Sequence, residues 1–203
     1  MFALLVAAAL PGLPVPITPR VEITFPEAAP VTLSGPENSA QNAEYPWTHQ
    51  QTLMSPRGDA AAVRFCWEIG KYDGCQVVLA RPSQPTQRLK NSDVRRLLWT
   101  RDGQYLIGAG VNTVRLWNLT GGVRTVLPAP APITTSLPHT SQITGLTLQG
   151  RDLCVQTQDQ WYGRNSQRLG RSVSATRYAL PTLRRLDVTT WPEGKKEADC
   201  SAP

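Results

Sequence analysis

A glycine set in a turn recurs along this chain at a nearly constant interval. "SPRGDAAAVRF" places Gly58 ahead of an alternating apolar run, "TRDGQYLIGAG" does the same at Gly103, and "LQGRDLCVQT" does it at Gly150. A fainter copy, "WPEGKKEADC", carries Gly194. The four glycines stand 45, 47 and 44 residues apart. A period of about 40–50 residues is that of propeller blades, units that bury their faces only by stacking on neighbours. Each glycine is expected between the first and second strands of its unit, where a tight turn needs φ > 0.

A second feature keeps the same period. "VVLARPSQPTQRL", "VRLWNLTGGVRTVL" and "TRYALPTLRRL" each read as an apolar strand, a turn and a short basic stretch ending in Leu. This reads as an outer strand leading into the inner strand of the next unit. At 203 residues the chain has the length of one domain, and its 18 prolines favour short strands and many turns. The fold class expected is all-β: a small β-propeller-like array of about three to four four-stranded blades.

The stretch "LLWTRDGQYLIGAGVNTVRLWNLTGG", residues 97–122, resembles the tail of a WD-repeat. It carries an inner strand, a T-x-D-G turn, two further strands and a closing Trp117-Asn118 in place of Trp-Asp. The Gly-His dipeptide of that family has no counterpart in "LKNSDV", residues 89–94. With the repeat interval, blades are expected over residues 51–89, 90–127 and 140–186, with a Pro-rich connector at 128–140. Three blades do not close a ring, because four is the usual minimum. Residues 20–34 are expected to supply the outer strands of a shared fourth blade, and residues 187–203 its inner ones. The alternative is an open arc completed by a second chain, a homodimer.

The chain starts "MFALLVAAALPGLPVP", a nine-residue apolar run with small residues behind it. That is the h-region and cleavage zone of an export signal, although no Lys or Arg precedes it. Residues 1–19 are therefore expected to be a signal peptide, with an apolar N-terminal strand as the alternative, and residues 20–203 a single exported domain, periplasmic or extracellular. The run is too short to span a bilayer, and no other stretch is apolar enough, so no transmembrane span is expected. Four cysteines, Cys66, Cys75, Cys154 and Cys200, then suggest two disulfides, with three pairings open and four buried reduced thiols of a cytosolic chain as the alternative. "VRFCWEIGKYDGCQVVLA" reads as a hairpin turning at Gly70-Lys71. If Ile69 faces Tyr72, Cys66 falls opposite Cys75, close enough for a bridge. Cys154 and Cys200 follow their repeat glycines by four and six residues and are expected to form the second.

Charge is segregated. Residues 81–185 hold 14 Arg and one Lys against four Asp and no Glu, a net +11, while the remainder carries −5. A basic half favours anionic partners. The longest polar insertion, "QWYGRNSQRLGR" at 160–171, sets two aromatics beside three arginines. Trp161, Tyr162, Arg164, Arg168 and Arg171 are therefore the expected ligand-binding residues. Two histidines in separate loops, no nucleophile elbow and no phosphate-cradling loop leave no assembled catalytic set. No cofactor or metal site is expected. The function expected is a non-enzymatic binding or scaffolding module of the cell envelope, with a protein or an anionic polymer as partner. The alternatives are nucleic-acid binding through the Arg-rich half and, further off, a secreted hydrolase.

Overall fold

The computed structural model describes residues 15–69, 72–128 and 139–192. Among them every regular element is a strand except one 3-10 turn, Ala40–Asn42. Strands β1 (Arg20–Ile23) and β2 (Val31–Ser34) pair with each other as a two-stranded antiparallel sheet. Three four-stranded antiparallel meanders follow in chain order. The first holds β3 (Thr48–Met54), β4 (Ala61–Ile69), β5 (Tyr72–Ala80) and β6 (Gln87–Arg88). The second holds β7 (Arg96–Trp99), β8 (Tyr105–Ala109), β9 (Val114–Asn118) and β10 (Val123–Val126). The third holds β11 (His139–Gln149), β12 (Asp152–Tyr162), β13 (Arg168–Ala179) and β14 (Arg184–Pro192). The protein is thus all-β, and no sheet closes on itself among the described residues.

Gly58, Gly103 and Gly150 lie between the first and second strands of successive meanders, at φ of 71°, 67° and 59°. The first two turns share one hydrogen-bond plan. Ser55 N–H donates to Ala60 O and Gly58 N–H to Ser55 O. Thr100 N–H donates to Tyr105 O and Gly103 N–H to Thr100 O. The third is tighter, a two-residue Gly150-Arg151 turn between paired Gln149 and Asp152. A side chain at any of these glycines would meet the left-handed backbone penalty. Gly194 lies outside the described residues.

The register of β4 and β5 is the one read from the sequence: Ile69 faces Tyr72, Glu68 faces Asp73, Trp67 faces Gly74 and Cys66 faces Cys75. The two cysteines form a disulfide across a Cα–Cα distance of 4.2 Å. That is the close spacing of a non-hydrogen-bonded antiparallel pair. Accordingly Cys75 N–H donates sideways, to Asp93 Oδ1 at 2.9 Å. Beside it Val77 N–H donates to Ser92 Oγ at 2.9 Å. The "LKNSDV" segment thus completes the edge of β5 beyond the short β6. Cys154 is also disulfide-bonded. Its expected partner, Cys200, lies outside the described residues.

Packing runs in series because both faces of the inner strands are apolar. Ile23, Phe25 and Leu33 pack on Ala61, Val63, Phe65 and Val78 of the first meander. The opposite face of that meander, with Ala62, Val77 and Leu79, packs on Leu97, Trp99, Leu106 and Trp117 of the second. The opposite face of the second, with Ile107, Ala109, Val114 and Leu116, packs on Ile143, Leu153, Val155 and Tyr178 of the third. Two indoles fasten the first interface. Trp99 Nε1 donates to Leu53 O at 2.9 Å, and Trp117 Nε1 to Lys90 O at 3.0 Å.

Two expectations are corrected. The basic, Leu-ended stretches do not begin the next unit: β6, β10 and β14 pair with β5, β9 and β13 as fourth strands of their own meanders. Their connections fold straight back into hairpins, and a hairpin return hands the strand to its own neighbour. For the same reason residues 187–192 are not inner strands of a shared blade. They belong to β14, paired to β13 from Ala179↔Arg184 to Ser172↔Pro192. Residues 193–203 of the expected shared blade lie outside the described residues, as do 1–14 of the expected signal peptide and 129–138 of the Pro-rich connector.

Candidate functional site

Each first turn carries one Arg, one Asp and one Gly: Arg57-Gly58-Asp59, Arg101-Asp102-Gly103 and Gly150-Arg151-Asp152. Turn chemistry selects Gly and Asp, the latter because its side chain accepts from nearby backbone. Series packing brings neighbouring turns together. Pro26 lies over Gly58, and the stem of Arg57 lies over Gly103, 3.2 and 3.0 Å from where a β-carbon would stand.

The three aspartates are committed. Asp59 Oδ2 pairs with Arg57 Nε at 3.0 Å and Asp59 Oδ1 accepts from Ser55 Oγ. Asp102 Oδ1 accepts from Thr100 Oγ1 at 2.6 Å and from Gln104 N–H at 3.1 Å. Asp152 stands 3.8 Å from Arg177 Nε, and Arg177 is shared with Asp187 at 2.6 Å. Arg101 and Arg151 therefore have no carboxylate or hydrogen-bond partner among the described residues. Both line a cavity of about 590 Å³ between the second and third meanders. Tyr105 and Leu148 form part of its wall, with Leu180 and Pro181 from the β13–β14 turn.

Donation from Thr100, then from Gln104 N–H, with a smaller contribution from the Arg57 charge, holds the Asp102 carboxyl below the usual carboxylate range. A depressed pKa contributes stability that is complete above the unfolded-state value and is lost as pH falls through the folded one. Asp102 is exposed, so the effect is small. Thermal midpoints of the native chain should fall more steeply with acidification below about pH 5 than those of Asp102→Asn. Parallel curves would remove this carboxylate from the turn's stability.

The residues expected to bind ligand sit elsewhere. Trp161, Tyr162, Arg164, Arg168 and Arg171 lie on the β12–β13 hairpin, at the end of the third meander opposite Gly150. With 11 residues in β12, that end is roughly 30 Å from the cavity. Alternation divides the set between two faces. Trp161 faces Gly170, where its Nε1 would be 2.5 Å from any β-carbon, so the indole covers the glycine. Tyr162 points the other way and donates to Gln160 Oε1 at 2.8 Å. Arg171, half-buried, faces Gln160 from across the ladder. Arg164 is exposed at the turn, and Arg168 is exposed but engaged by a partner.

Comparison with protein-family models gives no match, and comparison with curated proteins gives none.

Three further tryptophans serve the fold. Trp67 covers Gly74 as Trp161 covers Gly170, and Trp117 covers Gly108. Trp47 packs beside Phe65, with its backbone held by Asn38 Oδ1 at 2.7 Å. His49 donates or accepts with Thr52 Oγ1 at 3.0 Å on the first meander, while His139 opens β11 on the third. Among the described residues no three His, Cys, Asp or Glu side chains group as metal ligands. Among them also, no helix is long and apolar enough to cross a membrane. The sequence reading missed the cavity. Its one signal was the Arg-Asp pair repeated in equivalent turns.

Proposed function

We propose that this chain is an exported, non-enzymatic binding or scaffolding module, a propeller-like array that engages an anionic envelope polymer or an acidic protein surface through loops at the ends of its sheets. The propeller-like reading is supported by three consecutive four-stranded meanders packed face to face in chain order, and by glycine turns at equivalent places. The WD-repeat resemblance of residues 97–122 supports it further. Export is supported by the Cys66–Cys75 disulfide, since such bonds persist in oxidising compartments.

One observation carries the choice of partner: arginines at the sheet ends without neutralising carboxylates. Arg101 and Arg151 stand so at one end and Arg164 at the other. Loops on rigid sheets are where such modules bind. The test is retention of the full chain on an immobilised polyanion as salt rises. Retention at low salt and release above about 0.1 M are expected, where the Debye length falls to about 10 Å. Reversal of Arg164, Arg168 and Arg171 to Glu should move release to lower salt. No retention of the native chain at low salt would end the proposal.

A further inference from the structure

We propose that the cavity between the second and third meanders binds a carboxylated sugar, a ring acid of the uronate class, as the recognition unit of the anionic partner. This rests on the reading of the chain as a binding module for anions. The cavity falls within the roughly 300–1,000 Å³ range of small-molecule sites.

Its chemistry is asymmetric. Arg101 comes from the β7–β8 turn and Arg151 from the β11–β12 turn, so two arginines from separate sheets line one cleft. Each stands beside an aspartate in sequence, and each of those aspartates is held by other groups: Asp102 by Thr100 and Gln104, Asp152 by Arg177. The pair is thus left with unused donors, and guanidinium groups match a carboxylate in fork geometry. The Tyr105 ring with Leu148 and Leu180 offers an apolar wall for the face of a sugar ring. The Tyr105 hydroxyl makes no hydrogen bond among the described residues, and the Asp102 carboxylate, with about four acceptor sites, keeps room beside its local bonds, so both can serve ring hydroxyls. Asp102 also selects. It lies in the same cavity as an anion, so a multiply charged phosphate would be repelled there. A ligand with its acid at one end and hydroxyls at the other satisfies both sides.

The experiment is calorimetric titration of the full, disulfide-intact chain at low salt with an oligosaccharide of galacturonic acid. A galactose oligomer of equal length and inorganic phosphate serve as comparison probes. The uronate oligomer should bind, the neutral one at least roughly 10-fold more weakly, and phosphate should not compete. Arg101→Gln and Arg151→Gln, with thermal midpoints unchanged, should each weaken binding by roughly 10-fold to 100-fold. Equal affinity for the neutral oligomer, competition by phosphate, or unchanged affinity in both variants would overturn the proposal. If the native chain is retained on polyanion but does not bind the uronate, the cavity assignment fails and the module reading stands. If it does neither, both fail.

Discussion

Trp117→Ala is expected to cost about 3–5 kcal/mol, the range for truncating a fully buried Trp. The indole is 1% exposed and sits in the cluster that joins the first two meanders. It covers Gly108, where a β-carbon would lie 2.7 Å from the ring, and its Nε1 holds the Lys90 carbonyl. Removal therefore opens a cavity on both sides of the interface and leaves that carbonyl without its donor. A domain of this kind has a total stability of about 5–15 kcal/mol, so the variant should be visibly destabilised at room temperature. Trp117→Phe keeps much of the ring but not the donor and should fall between. Urea unfolding followed by far-ultraviolet circular dichroism measures both. A loss below about 1 kcal/mol in the alanine variant would show that this ring does not hold the two sheets together.

Removing the Cys66–Cys75 bond is expected to cost roughly 2–3 kcal/mol. The loop it closes is short, with a sequence separation of nine, and chain-entropy accounts give about that for such a length. The bond also pins the pairing of Cys66 with Cys75, three residue pairs from the hairpin turn. Cys66→Ala with Cys75→Ala should lower the unfolding midpoint. Urea curves for the single and double variants are the measurement. A double variant as stable as the native chain would mean that strand pairing alone sets this hairpin.

What was legible in the sequence follows from which interactions are local. The β4–β5 register was readable because turn, alternation and both cysteines lie within one hairpin, where one contact dictates the rest. The glycine turns were readable because few residues other than Gly tolerate the backbone they need. The fourth strands were misassigned because stretches such as "QRL" and "VRTV" are short, polar edges. Their alternation is too weak to say which neighbour they join. The cavity was invisible for a different reason. Its walls come from residues near 100, 150 and 180, brought together only by face-to-face packing of two meanders. The hairpin with Trp161 is a candidate because polar loops bearing aromatics suit binding. That its indole also covers a glycine across the ladder is a pairing that sequence spacing alone does not display.

The serial packing of the sheets has a consequence for how the chain can be divided. The second meander has the shortest middle strands, five residues each, against nine to 12 in its neighbours. It owes its burial to sheets on both sides. A fragment ending after Val126 would turn Ile107, Ala109, Val114 and Leu116 toward water, and one beginning at Arg96 would do the same to Leu97, Trp99, Leu106 and Trp117. The middle sheet therefore acts as a keystone. Its burial is completed by both flanks, so the cleft it shares with the third meander rests on a sheet that is fully covered only in the uncut chain.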